Sequence, residues 1–108
     1  MSLPAEISVI DLQRLRHSGA AFTLLDVRDD DEVAFAPLGG ATHVPMKEIP
    51  GRLDELKSAN DIVVFCHSGG RSAHVCEYLR RNGFPSTANL IGGIDAWSRD
   101  VDPAVPRY

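Results

Sequence analysis

The sequence predicts a single α/β domain: a mostly parallel central sheet of about five strands, with helices on both faces. Three observations carry this reading. Short apolar, β-prone runs alternate with segments of helical periodicity. The clearest run, Ile62-Val63-Val64-Phe65, is apolar throughout, as a central parallel strand covered on both faces must be. The 108 residues are 44% hydrophobic, the size and composition of one domain over 1–108, with no internal repeat or long linker.

Taken in order, Glu6-Ile7-Ser8-Val9-Ile10 alternates polar and apolar residues and predicts a first strand. Asp11 is a suitable N-cap for a helix over 12–18, and Gly19 a suitable stop. Residues 22–27 predict a buried strand. The acidic run Asp29, Asp30, Asp31, Glu32 fits the first turn of a short helix through Phe35, with its side chains in solvent. Pro37, Gly39 and Gly40 mark a turn, and residues 42–45 a short strand ending at proline. A helix over 48–57 places Ile49, Leu53 and Leu56 on one face, with Pro50 in its first turn. After the strand at 62–65, a helix over 72–82 carries Val75, Cys76 and Leu79 on its apolar stripe, and Gly83 ends it. Residues 87–91 predict another strand, and Gly92-Gly93 opens a last helix through Trp97, read as a core residue. The tail from about 101, with Pro103 and Pro106, is irregular.

Composition narrows the function. The net charge of −4, from 11 Lys+Arg against 15 Asp+Glu, argues against nucleic acid as a partner, because neutralising phosphates needs a basic face. No apolar run approaches the roughly 20 residues that span a bilayer, and the start does not resemble a signal peptide. Whether Met1, Ser2 and Leu3 are native or a cloning remnant is open at this point. Two cysteines in such a chain point to free thiols in a reducing, cytoplasmic setting. His17, His43, His67 and His74 show no paired spacing with the cysteines, so no metal site is expected.

The chemistry lies where the central strand ends. Cys66-His67-Ser68-Gly69-Gly70-Arg71-Ser72 joins a buried strand to a helix start. Ligands of open α/β sheets bind beyond the carboxyl ends of the strands. A helix start offers unpaired amides and the positive end of its dipole, which favour thiolate over thiol at Cys66. Gly69 and Gly70 allow successive amides to turn inward as an anion-binding nest. Arg71 adds a fixed positive charge at the rim, and Ser72 can cap the helix. Cys76 reads as inert packing. His67 faces either the substrate mouth or solvent. Asp26 and Arg28 read as an ion pair or backbone contact supporting the loop.

This loop resembles the active-site loop of the rhodanese family, and the likeness extends along nearly the whole chain. Leu25-Asp26-Val27-Arg28 resembles that family's early strand end. Gly40-Ala41-Thr42-His43-Val44-Pro45 resembles its central segment, and Gly92-Gly93-Ile94-Asp95-Ala96-Trp97 its late turn and helix. Pro37 stands where many members have histidine. The resemblance implies a persulfide on Cys66, taken from a donor such as thiosulfate and passed to a nucleophilic acceptor, with no other cofactor. It assigns Cys66 and Arg71 to catalysis, and His67, Ser68, Gly69, Gly70 and Ser72 to holding the transferred sulfur. Four residues separate Cys66 from Arg71. Cysteine-dependent phosphatases that resemble this fold have one more, so phosphatase or arsenate reductase chemistry ranks lower. The tail, residues 96–108, resembles the end of rhodanese domains fused to adenylyltransferases. That implies an alternative: a relay delivering sulfur to a sulfur-carrier protein in molybdopterin, thiamine or tRNA modification.

Overall fold

A computed structural model describes residues 2–108; Met1 lies outside the described residues. The elements are β1 (Glu6–Ile7), α1 (Val9–Ser18), β2 (Thr23–Asp26), α2 (Asp30–Phe35), β3 (Thr42–His43), two 3-10 turns (Met46–Gly51 and Leu53–Leu56), β4 (Ile62–Phe65), α3 (Gly70–Arg81), β5 (Thr87–Leu90) and α4 (Gly93–Asp100). The five strands are ordered β1-β5-β4-β2-β3, and every pairing is parallel.

β4 lies at the centre, and all four of its residues are fully buried. Its alternate side chains feed two cores. Val63 and Phe65 join Leu12, Leu90, Ile94 and Trp97 beneath α1 and α4. Ile62 and Val64 join Leu25, Ile49, Leu56, Val75, Cys76 and Leu79 beneath α3 and the 3-10 turns. This is the doubly covered sheet that an all-apolar strand demands. After β2 the chain leads to β3 on one side, and after β4 it leads to β5 on the other. The carboxyl ends of β2 and β4 therefore flank the point where the strand order reverses, the place where open α/β sheets form their ligand crevice.

Several boundaries differ from expectation for local reasons. The first strand stops at Ile7, because Ser8, not Asp11, caps α1: the Asp11 amide donates to Ser8 Oγ at 3.1 Å. The single helix expected over 48–57 is two 3-10 turns that meet at Arg52. Pro50 has no amide to continue an α-helical ladder, and the amides of Glu48, Arg52 and Glu55 bond three residues back instead. Ile49 and Leu56 are nonetheless buried. α3 starts at Gly70, with Gly69 as its cap, so Ser72 lies inside the first turn rather than capping it. α4 continues past Trp97 to Asp100, and Trp97 is buried as expected. The tail has no regular element, yet it is pinned: Val105 is buried and its carbonyl accepts from the Ser98 hydroxyl.

Candidate active site

Cys66 follows β4 directly, so the central strand carries its thiol to the crevice. The chain then turns back over the sulfur. Gly69 adopts φ 110°, a left-handed conformation that side chains disfavour, and this turn aims its amide at Cys66 Sγ, 3.1 Å away. The Ser72 amide reaches the same sulfur at 3.4 Å, and Ser72 Oγ lies 3.3 Å from it. Of the expected nest, the amides of Gly69 and Ser72 thus make direct hydrogen bonds. Gly70 has no left-handed φ and simply begins α3.

The loop is held from outside by α4. The amides of Ile94 and Asp95 donate to the carbonyls of Cys66 and His67 at 2.9 and 3.0 Å. Those carbonyls are thus taken up by the first turn of α4. The approach is so close that a Cβ on Gly93 would stand 2.5 Å from the Cys66 oxygen and 2.6 Å from that of His67.

Cys66 is only 1% exposed and lies on the floor of the loop rather than at its surface. Burial pushes its thiol up. The Ser72 hydroxyl and the amides of Ser72, Gly69 and Ser68 pull it down further, so the net shift is downward. Cys76, on α3, is equally buried but has no such donors, and burial pushes it up to about 12.

Asp26 and Arg28 form an ion pair, and no hydrogen bond of either side chain among the described residues reaches the loop at 66–72. Asp26 Oδ1 accepts from the Arg28 amide and Nε at 3.1 and 3.0 Å, and Oδ2 from Nη2 at 2.8 Å. Arg28 is fully buried and also donates to the Ala36 carbonyl at 2.9 Å. A buried pair with these added bonds keeps the cation satisfied beside β4.

The rim departs from expectation. Arg71 does not stand free: Nη1 and Nη2 pair with Glu32 at 2.6 and 2.9 Å. Asp29 to Asp31 are exposed, but Glu32 is drawn into the site. The Arg71 guanidinium, first of all, holds its carboxyl at about 2, with Tyr108 and the Asp29 amide adding to the effect. Tyr108 folds back from the tail. Its hydroxyl donates to Glu32 at 2.8 Å and accepts from Arg28 at 3.1 Å. Its ring stacks on His67, with centroids 4.1 Å apart and planes at 13°. His67 is thus packed against the tail. Ser68 is exposed on the loop.

Three further residues lie at the site. Glu32 has one signal in the sequence, its spacing from Asp29: the two form a reciprocal capping box that places the carboxylate. Asn89 is a polar residue in an apolar strand, and such a residue requires partners when buried; it accepts from Ser72 at 2.6 Å. Tyr108 carried no local signal.

The chain is similar to known proteins of one family. The family model for the rhodanese-like domain matches residues 8–100. A sulfurtransferase of Allochromatium vinosum is 40% identical over 82 residues, covering 76% of this chain and 77% of that protein. An adenylyltransferase and sulfurtransferase of Zea mays, MOCS3-1, is 33% identical over 111 residues, covering 96% of this chain but 24% of that protein. A crystal structure of a rhodanese-like domain protein from Staphylococcus aureus superposes with a TM-score of 0.82 at 30% identity, covering 100% of this chain and 99% of the other.

Proposed function

Because this chain belongs to the rhodanese-like domain family, we propose that it is a sulfurtransferase in which Cys66 carries sulfur as a persulfide. The observation behind this reading is the cradle of the Gly69 and Ser72 amides around a thiol whose ionisation they favour. With thiosulfate as donor, the Cys66 thiolate attacks the outer sulfur. A new S–S bond forms, the S–S bond of thiosulfate breaks, and sulfite leaves with the electron pair. A nucleophile such as cyanide then attacks the terminal sulfur, forms thiocyanate and returns Cys66 as thiolate. No external oxidant or reductant enters. The loop amides stabilise the anionic persulfide. Arg71 acts at the rim with its charge shared by Glu32. A reducing, cytoplasmic setting keeps both thiols free.

The test is intact mass after thiosulfate treatment. A gain of one sulfur atom, reversed by cyanide and absent in Cys66→Ala, is the expected result. Loading that survives Cys66→Ala overturns the mechanism.

A second reading has an observation of its own. The tail is seated on the active-site loop, and the match to the Zea mays protein runs through 96% of the chain. This favours a relay that hands persulfide sulfur to a sulfur-carrier protein. Transfer of labelled sulfur from loaded protein to such a carrier supports it; loaded protein that yields sulfur to cyanide and to no carrier counts against it.

A further inference from the structure

Asn89 is 7% exposed in β5, between Ala88 and Leu90, which serve the core beneath α1 and α4. Its own side chain makes two bonds at the start of α3. Nδ2 donates to the Gly69 carbonyl at 3.2 Å, and Oδ1 accepts from the Ser72 hydroxyl at 2.6 Å. The Gly69 carbonyl can only accept, so the amide nitrogen must face it and the amide oxygen must face Ser72.

A hydroxyl has one proton. With that proton on the bond to Asn89, Ser72 Oγ offers only lone pairs to Cys66 Sγ, 3.3 Å away. This arrangement suits a thiol, which can donate to Oγ. It does not suit a thiolate, which only accepts. To serve the thiolate, the hydroxyl must turn from Asn89 and leave Oδ1 buried without a donor, a costly state. In the persulfide the charge moves out to the terminal sulfur, and the bond from Ser72 to Asn89 is whole again. The thiolate is thus the one state in which the network is short of a proton.

We propose that Asn89 is a positioning residue that draws the Ser72 proton away from Cys66 and so limits how much of the resting sulfur is thiolate. A thiolate held back in this way is scarcer but more nucleophilic when it forms. The inference rests on Cys66 being the reacting sulfur, but its test reads ionisation rather than transfer. The other ionisable groups around Cys66 are His67 on its own loop, Arg71 and Cys76 on α3, Glu32 on α2 paired with Arg71, and the closed Asp26–Arg28 pair beyond β2. Among the described residues, none of them bonds to the Asn89 side chain or to the Ser72 hydroxyl. Replacing neutral Asn89 therefore changes the Cys66 titration through that hydroxyl.

The experiment follows thiolate absorbance in the ultraviolet against pH, with the Cys66→Ser signal subtracted. Asn89→Leu fills a similar volume without an acceptor. It is expected to move the Cys66 titration to lower pH and to raise the thiolate fraction at neutral pH about fivefold. Asn89→Ser, which cannot span the same distance, shifts it the same way and carries the test if the leucine variant does not fold. Ser72→Ala moves the titration to higher pH, and adding Asn89→Leu to it produces no further shift. An unmoved titration in both Asn89 variants, a move to higher pH, or a shift that persists in Ser72→Ala overturns the proposal. Expected titrations together with no sulfur loading by thiosulfate leave this inference standing and remove the proposed function.

Discussion

Cys66 and Cys76 are both 1% exposed and share one core, yet their thiols are pushed in opposite directions. Cys76 lies mid-helix, where the backbone amides are already spent on the helical ladder. Burial acts on it almost alone. Cys66 lies where the ladder has not begun, so the free amides of a helix start are available to its sulfur. Burial by itself does not decide which way a thiol is shifted. The supply of uncommitted donors does.

The sharpest way to break this comparison is to remove each sulfur in turn. Cys66→Ala loses all persulfide loading, whereas Cys76→Ala keeps the wild-type extent, both read by intact mass. Equal loss from the two variants would dissolve the distinction. Next in size is Gly93→Ala, which never touches either sulfur. Its φ of 57° and the 2.5 Å approach to the Cys66 carbonyl force the loop to move. It is expected to cost about 3 kcal/mol of stability in denaturant titration, with loading impaired in the folded fraction. Ser72→Ala removes the hydroxyl that can turn from Asn89 to the Cys66 thiolate, and the rate of loading at neutral pH should fall about tenfold.

The pH profile sharpens the same contrast. Thiolate is the attacking form, so loading falls as acid protonates Cys66, and its midpoint lies below the ordinary thiol range. Cys76 stays a thiol until about pH 12 and adds nothing at neutral pH. Glu32 marks the acid limit of the rim. Its carboxyl is lowered from 4.5 to about 2, so its contribution to stability is complete above 4.5 and is lost as pH falls toward 2. The smallest expected effect is that of Tyr108→Phe. It deletes the hydroxyl shared by Glu32 and Arg28 but keeps the ring on His67, and costs about 1 kcal/mol or less in thermal unfolding.

What could be read in the sequence follows the range of the forces involved. β4, α3 and the loop that turns back over Cys66 are legible because a strand, a glycine turn and a helix start are all written within one stretch of chain. The 3-10 turns are not legible because apolar spacing at Ile49, Leu53 and Leu56 fits a helix, and Pro50 decides otherwise through a missing amide. The rim is not legible because pairing between Arg71 and Glu32 joins residues of α2 and α3 that are 39 apart in the chain, a fact of the fold rather than of either segment. Asn89 and Tyr108 reach the site from remote stretches. Asn89 could have been flagged by its polarity inside a buried strand, whereas nothing near Tyr108 announces where it returns.

The hold that α4 keeps on the Cys66 and His67 carbonyls bears on transplantation. A designer who grafts residues 66–72 onto another scaffold moves the sulfur but leaves behind the amides of Ile94 and Asp95 that turn the loop's peptide planes. The portable unit is discontinuous: the loop together with residues 89–95, which bring Asn89, the glycine pair and the start of α4. Any recipient must present two adjacent parallel strands ending at the same height, with a helix starting beyond each.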